Sequence, residues 1–255
     1  MLNAEWKVKC WQNVVFAFVL VASAAAQTQD ALLMDTRLTV HTLVREDVFA
    51  GFMNNQMDRL AKAEQNIAAL MKSRPEEQAN LLAWKAGATL YRAVVAHEAG
   101  KSDEYMKLWK EASDTFAAAA KPTSGNGGVQ AITGGSMSVF ADRLPEPQRA
   151  AAWQIAYENY SFLWKQQGAG IEQMPVHFKG EVLAGLTQSA QRTGRTDEAT
   201  KTLDKMLEVL PNTPYEATAK QWKADPASAK SSTLTCKNCH NPGRLAARLK
   251  SLEAK

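Results

Sequence analysis

From residue 44 to residue 120 the chain meets one proline, Pro75, and three glycines, Gly51, Gly87 and Gly100. Ala, Leu, Glu, Lys and Gln dominate between them, and no long run alternates β-branched with polar residues. Side chains of this kind lose little freedom in a helix, and without a two-residue period there is no face to build a sheet on. The pattern predicts an all-α fold.

Helical chains of this length are often built from repeats. Between Gly180 and Asn212, the positions Leu186, Ala190, Gly194, Ala199, Leu203, Met206 and Pro211 stand at the spacings of a tetratricopeptide repeat, and the segment resembles that family. Physics supports the resemblance: small residues let two helices cross closely, Gly194 with Arg195, Thr196 and Asp197 makes a turn, and Pro211 stops the second helix. The family's leading Trp is missing, and Gly185-Leu186 reverses its Leu-Gly pair. Gly51, Ala63, Ile67, Leu70 and Pro75 repeat the pattern, and Gly100 is followed by Tyr105, Trp109 and Ala112 at the offsets that follow Gly194. A first helix from about Glu77 to Ala99 is longer than the family's unit. The resemblance implies antiparallel helical hairpins that offer a surface to a protein partner.

Two stretches depart from the repeat. Lys121 to Ser138, "KPTSGNGGVQAITGGSMS", is rich in Gly and Ser and reads as a loop between helical layers. It has no G-K-[ST], so a phosphate loop is disfavoured. Pro145 to Gln167 reads as a long helix with Trp153, Tyr157, Tyr160 and Trp164 on one face, a stripe of the kind that lines a core.

The N-terminus resembles a secretory signal. Lys7 and Lys9 precede "VVFAFVLVASAAA", Val14 to Ala26, which ends in overlapping A-x-A patterns. The run falls short of the ~20 residues a spanning helix needs. Cleavage would discard Cys10 and leave an exported, periplasmic protein with no membrane insertion. Lys and Arg number 30 against 26 Asp and Glu and are dispersed, which does not point to nucleic acid.

Cleavage would also leave only Cys236 and Cys239, and these stand with His240 in C-x-x-C-H. That spacing serves covalent attachment of a c-type haem: each thiol forms a thioether to one vinyl group, and the histidine gives iron an axial nitrogen. Zinc would need a fourth ligand, and adjacent Cys239 and His240 chelate one ion awkwardly. A redox disulfide would need a thioredoxin-like βαβ setting, for which no strands are in evidence. The export signal agrees independently with haem, which is attached beyond the membrane. The chain thus resembles a periplasmic monohaem c-type cytochrome fused to a degenerate tetratricopeptide-like domain. The late motif is similar to that of cytochromes c′, where it lies on the last helix.

After His240 there is no Met, His or aromatic residue, so the second axial ligand and the haem's walls must come from upstream. The candidates are His41, His97, His177 and the methionines. Met53 and Met57 read as sharing a helix face, and His97 as a packing residue. His177, at the entrance to the last repeat, is weakly favoured. Arg244 and Arg248 can meet haem propionates or form a solvated face. A last helix begins near Pro242, with Leu245, Leu249 and Leu252 on one side.

The expected organisation is a signal peptide over 1–26, the helical repeat domain over 27–223, a polar linker over 224–235, and the haem-attachment segment with its helix over 236–255. The expected function is electron transfer by one haem c, with the repeats contacting a redox partner. A non-redox scaffold and a five-coordinate gas sensor remain alternatives. No nucleophile–base or paired-carboxylate signature suggests an enzyme.

Overall fold

The structure, a computed structural model, describes residues 31–121, 127–230, 232–234 and 242–253. The chain divides into two units, 1–39 and 40–255. Of the first, residues 31–34 form a helical turn, and Arg37 beyond it grips Asp35 through Nη2 at 2.7 Å.

In the second unit every regular element among the described residues is helical. Ten α-helices follow one another: α1 (Val40–Asn54), α2 (Met57–Ser73), α3 (Gln78–Glu98), α4 (Ser102–Ala120), α5 (Gly127–Phe140), α6 (Gln148–Gln167), α7 (Val176–Arg192), α8 (Thr196–Val209), α9 (Pro214–Ala224) and α10 (Arg244–Glu253). The first eight pair in sequence order, α1 with α2 through to α7 with α8. The first helices of the pairs also touch in succession, α1 on α3, α3 on α5 and α5 on α7, and make one continuous layer.

The turns inside the pairs follow from backbone chemistry. Gly100 (φ 72°) and Gly194 (φ 76°) take the left-handed conformation that is costly for residues with a Cβ. Each ends its helix in a Schellman motif. The Lys101 amide donates to the Ala96 carbonyl at 2.9 Å, and the Arg195 amide to that of Ala190 at 2.8 Å. The chain then doubles back, and Thr187 on α7 donates to Thr202 on α8 at 2.9 Å. Ala63, Ala112 and Ala199 are all buried in their hairpins. The first helix of the second pair runs from Gln78 to Glu98, close to the expected bounds. Met53 and Met57 do not share a helix: the turn at Asn55 and Gln56 puts one at the end of α1 and the other at the start of α2.

The glycine-rich stretch is also corrected. From Gly127 onward it is helix, not loop. Interior glycines cost ~1 kcal/mol each relative to alanine. Against this, α5 buries Val129, Ile132, Met137 and Phe140, and burying such side chains is worth ~1.5–3 kcal/mol apiece. The glycines also make room. A Cβ at Gly134 would stand 3.1 Å from the Tyr160 ring, and one at Gly185 on α7 would overlap that ring. Tyr160 is thus held between two helices that could not approach it with larger residues. The aromatic stripe of α6 is core wall, with Trp153 and Tyr160 buried and Tyr157 and Trp164 packed against the interior.

Residues 225–234, where described, lie against the helical body. Ala229 and Leu234 are buried in the cluster formed by Tyr215, Ala219 and Trp222. Trp222 donates its indole N–H to Ser232 Oγ at 2.6 Å, and the Arg192 guanidinium donates to the carbonyls of Ala229 and Ser232. Helix α10 packs on α1 with Leu245, Leu249 and Leu252 half-buried.

Candidate functional site

Cys236, Cys239 and His240 lie outside the described residues. Their flanks do not. Leu234 and Gly243 are both held by hydrogen bonds, and the described side chains near those two ends define the candidate site.

Helix α7 supplies most of it. Pro175, extended at ψ 147°, leads into the helix. His177 is its second residue, Glu181 follows one turn later, and Gln188 lies two turns beyond on the same side. His177 Nε2 stands 3.5 Å from Glu181 Oε2. Its Nδ1 is buried and has no hydrogen-bond partner.

Glu181 is half-buried, with 30% of its side chain exposed. Burial pushes its carboxyl up to about 7, with the nearby Arg45 guanidinium pulling the other way. The Tyr160 hydroxyl is pushed up by burial and by the Glu181 charge, and is eased by a hydrogen bond with Ser138. Burial lowers the proton affinity of His177, and the positive charges of Arg45 and Arg244 lower it further. A neutral imidazole with a lone pair is the form favoured here, and that is the form able to bind a metal.

Arg244, at the start of α10, therefore lies within electrostatic reach of His177. Arg248, one turn further on, is exposed. The sequence reading missed Arg45 and Glu181. Neither stands in a motif; only the packing of α1 and α10 near the start of α7 brings them together.

The other histidines are engaged elsewhere. His41 Nδ1 accepts the indole N–H of Trp84 at 2.9 Å, which leaves its remaining proton on Nε2 in the neutral ring. Burial lowers the proton affinity of His41, so the ring stays neutral. Binding iron through Nε2 would force a proton onto Nδ1 and set two donors against each other. His97, in the last turn of α3, packs against the Tyr105 ring at 5.2 Å.

Among the described residues, no three His, Cys, Asp or Glu side chains converge as a metal cluster. None of their helices is long and apolar enough to cross a membrane. No protein-family model, curated protein or solved structure matches the chain.

Proposed function

We propose that this is an exported, periplasmic haem c protein that transfers electrons, built on tetratricopeptide-like hairpins that contact its redox partner. The observation that carries the proposal is C-x-x-C-H at Cys236, Cys239 and His240 in a chain whose only other cysteine, Cys10, precedes a signal-like segment. The hairpin reading is supported by the turn glycines Gly100 and Gly194 and by the buried Ala63 and Ala199, which fall where the repeat pattern wants a turn and a close crossing.

The residues present fit a haem. Cys236 and Cys239 would hold it covalently, and His240 would supply a nitrogen ligand. His177 is the best-suited second ligand, because its buried Nδ1 lacks any partner while Nε2 faces a carboxylate. Ligand histidines commonly direct their other nitrogen to such a group, which fixes the ring. Arg45 and Arg244 would face the propionates; an arginine can bind such a carboxylate through two parallel hydrogen bonds. When bound, the haem supplies one-electron chemistry at its iron. The protein's part is to present two fixed nitrogens, so that little rearranges when the charge changes, and to limit water through the apolar body of α7.

Protein matured in a cell that attaches c-type haem should keep the haem after denaturation, with a mass greater than the processed chain by one haem. Zinc, or two free thiols, would overturn the proposal. The reduced protein should resist carbon monoxide, and His177→Ala should open it. Rapid binding by the parent protein would instead indicate a five-coordinate sensor. A haem with no electron exchange would indicate a scaffold.

A further inference from the structure

Two side chains outside the haem-binding set hold both ends of the motif-bearing segment. Upstream, Gln188 is fully buried on α7, with 1% of its surface exposed. Its Oε1 accepts the Leu234 amide at 2.9 Å and the Thr233 hydroxyl at 3.0 Å. Downstream, Glu46 on α1 accepts the Gly243 amide through Oε1 at 3.0 Å and the Leu245 amide through Oε2 at 3.2 Å. Leu245 is the second residue of α10, whose first amides have no acceptor within their own helix. Glu46 therefore caps that helix from a different one, and Arg59 steadies it through Nη2 at 3.4 Å.

A buried amide side chain is stable only with its hydrogen bonds made, and Gln188 directs its oxygen to backbone two residues before Cys236. Glu46 does the same for backbone three residues after His240. Apolar side chains in both positions would fill space without fixing the direction of the chain. Hydrogen bonds accepted from the Leu234 amide on one side and from the Gly243 and Leu245 amides on the other do fix it.

We propose that Gln188 and Glu46 are positioning residues for the haem-attachment segment: they pin its two ends to α7 and α1, so that the helical body would set where the segment presents its ligand. This rests on the haem reading above. The two residues touch neither iron nor haem; they act through Leu234, Gly243 and Leu245.

The test uses the full-length, haem-loaded protein with Gln188→Leu and Glu46→Ala. In each, the low-temperature electron paramagnetic resonance g-values of ferric haem should shift or split. Carbon monoxide should bind the reduced protein about tenfold faster, the ratio expected from losing one or two hydrogen bonds. Gln188→Glu, which keeps an acceptor oxygen in place, should restore the parent signal, and Glu46→Gln, which keeps one acceptor but sets an N–H donor against the second amide, should fall between parent and Glu46→Ala. Parent-like g-values and carbon monoxide rates in both disruptive variants, with helix content retained, would overturn the proposal. A second measurement separates this failure from failure of the haem reading. In a chain with Cys236→Ala and Cys239→Ala, the amides of Leu234, Gly243 and Leu245 should exchange slowly, and about tenfold faster once Gln188→Leu or Glu46→Ala is added. Slow exchange in a protein that never takes up haem overturns only the reading beneath. Fast exchange at all three amides overturns the clamps themselves.

Discussion

Helices α7 and α10 both stand at the candidate site, but they are held there by different means. From Val182 to Ala190 every residue of α7 is buried, and Leu183, Leu186 and Ala190 are wholly enclosed. Among the described residues of α10 none is buried; its three leucines are half-covered, and two hydrogen bonds from backbone amides to Glu46 hold its start. Dispersion and burial of apolar area, which grow with every residue, secure α7. A few directional bonds secure α10. Helix α10 is therefore placed to open locally without unfolding α7.

The largest effect that would break this contrast is a cavity. Leu186→Ala removes a fully enclosed side chain and should cost ~2–5 kcal/mol in thermal or denaturant unfolding. Leu249→Ala, on the half-covered side of α10, should cost less than ~1 kcal/mol. Equal costs would mean that α10 is as much a part of the core as α7. Next comes overpacking: Ala199→Leu at the α7–α8 crossing should cost ~1–3 kcal/mol. Unchanged stability would argue against the close crossing that the repeat pattern implies.

The smallest and sharpest test is pH, because the carboxylates at the two helices respond with opposite sign. Glu181 has a proton affinity raised from 4.5 to about 7 by burial. Its contribution is fully present below pH 4.5 and is lost as pH rises towards 7, so Glu181→Gln should flatten the stability curve across that window. Glu46 shifts the other way. Burial raises its proton affinity, but the Gly243 and Leu245 amides and Arg59 together outweigh this and leave it below 4.5. Its contribution is present above pH 4.5 and is lost as pH falls through the lower folded value. Protection of the Gly243 and Leu245 amides, taken relative to their intrinsic exchange rates, should therefore fall in acid while α7 stays protected. Simultaneous loss of protection at both helices would erase the distinction.

Much of the architecture was legible in the sequence because its signals are local. Turn glycines at 100 and 194, the helical stripe at 153, 157, 160 and 164, and the leucines of α10 each depend on neighbours within a few turns. Helix α5 was not legible. Four of its residues are glycines, and local preference reads them as loop. Only the Tyr160 ring, brought in from α6, explains why small residues there favour packing. The same limit applies to the site. His177 stood out as one of few histidines, and Arg244 by its place after the motif. Arg45, Glu181, Gln188 and Glu46 matter through residues distant along the chain, and no spacing announces them.

The two glycine turns have one more property. A Cβ built at Gly100 or Gly194 would meet no atom within 4 Å. Size does not exclude other residues there; handedness does. The backbone at both points is the mirror image of what an L side chain prefers, so the space that an L-alanine could enter only with strain is open to its D enantiomer. Glycine is the one genetically encoded residue without chirality, and at these two turns it stands in for a stereochemistry that the ribosome does not supply.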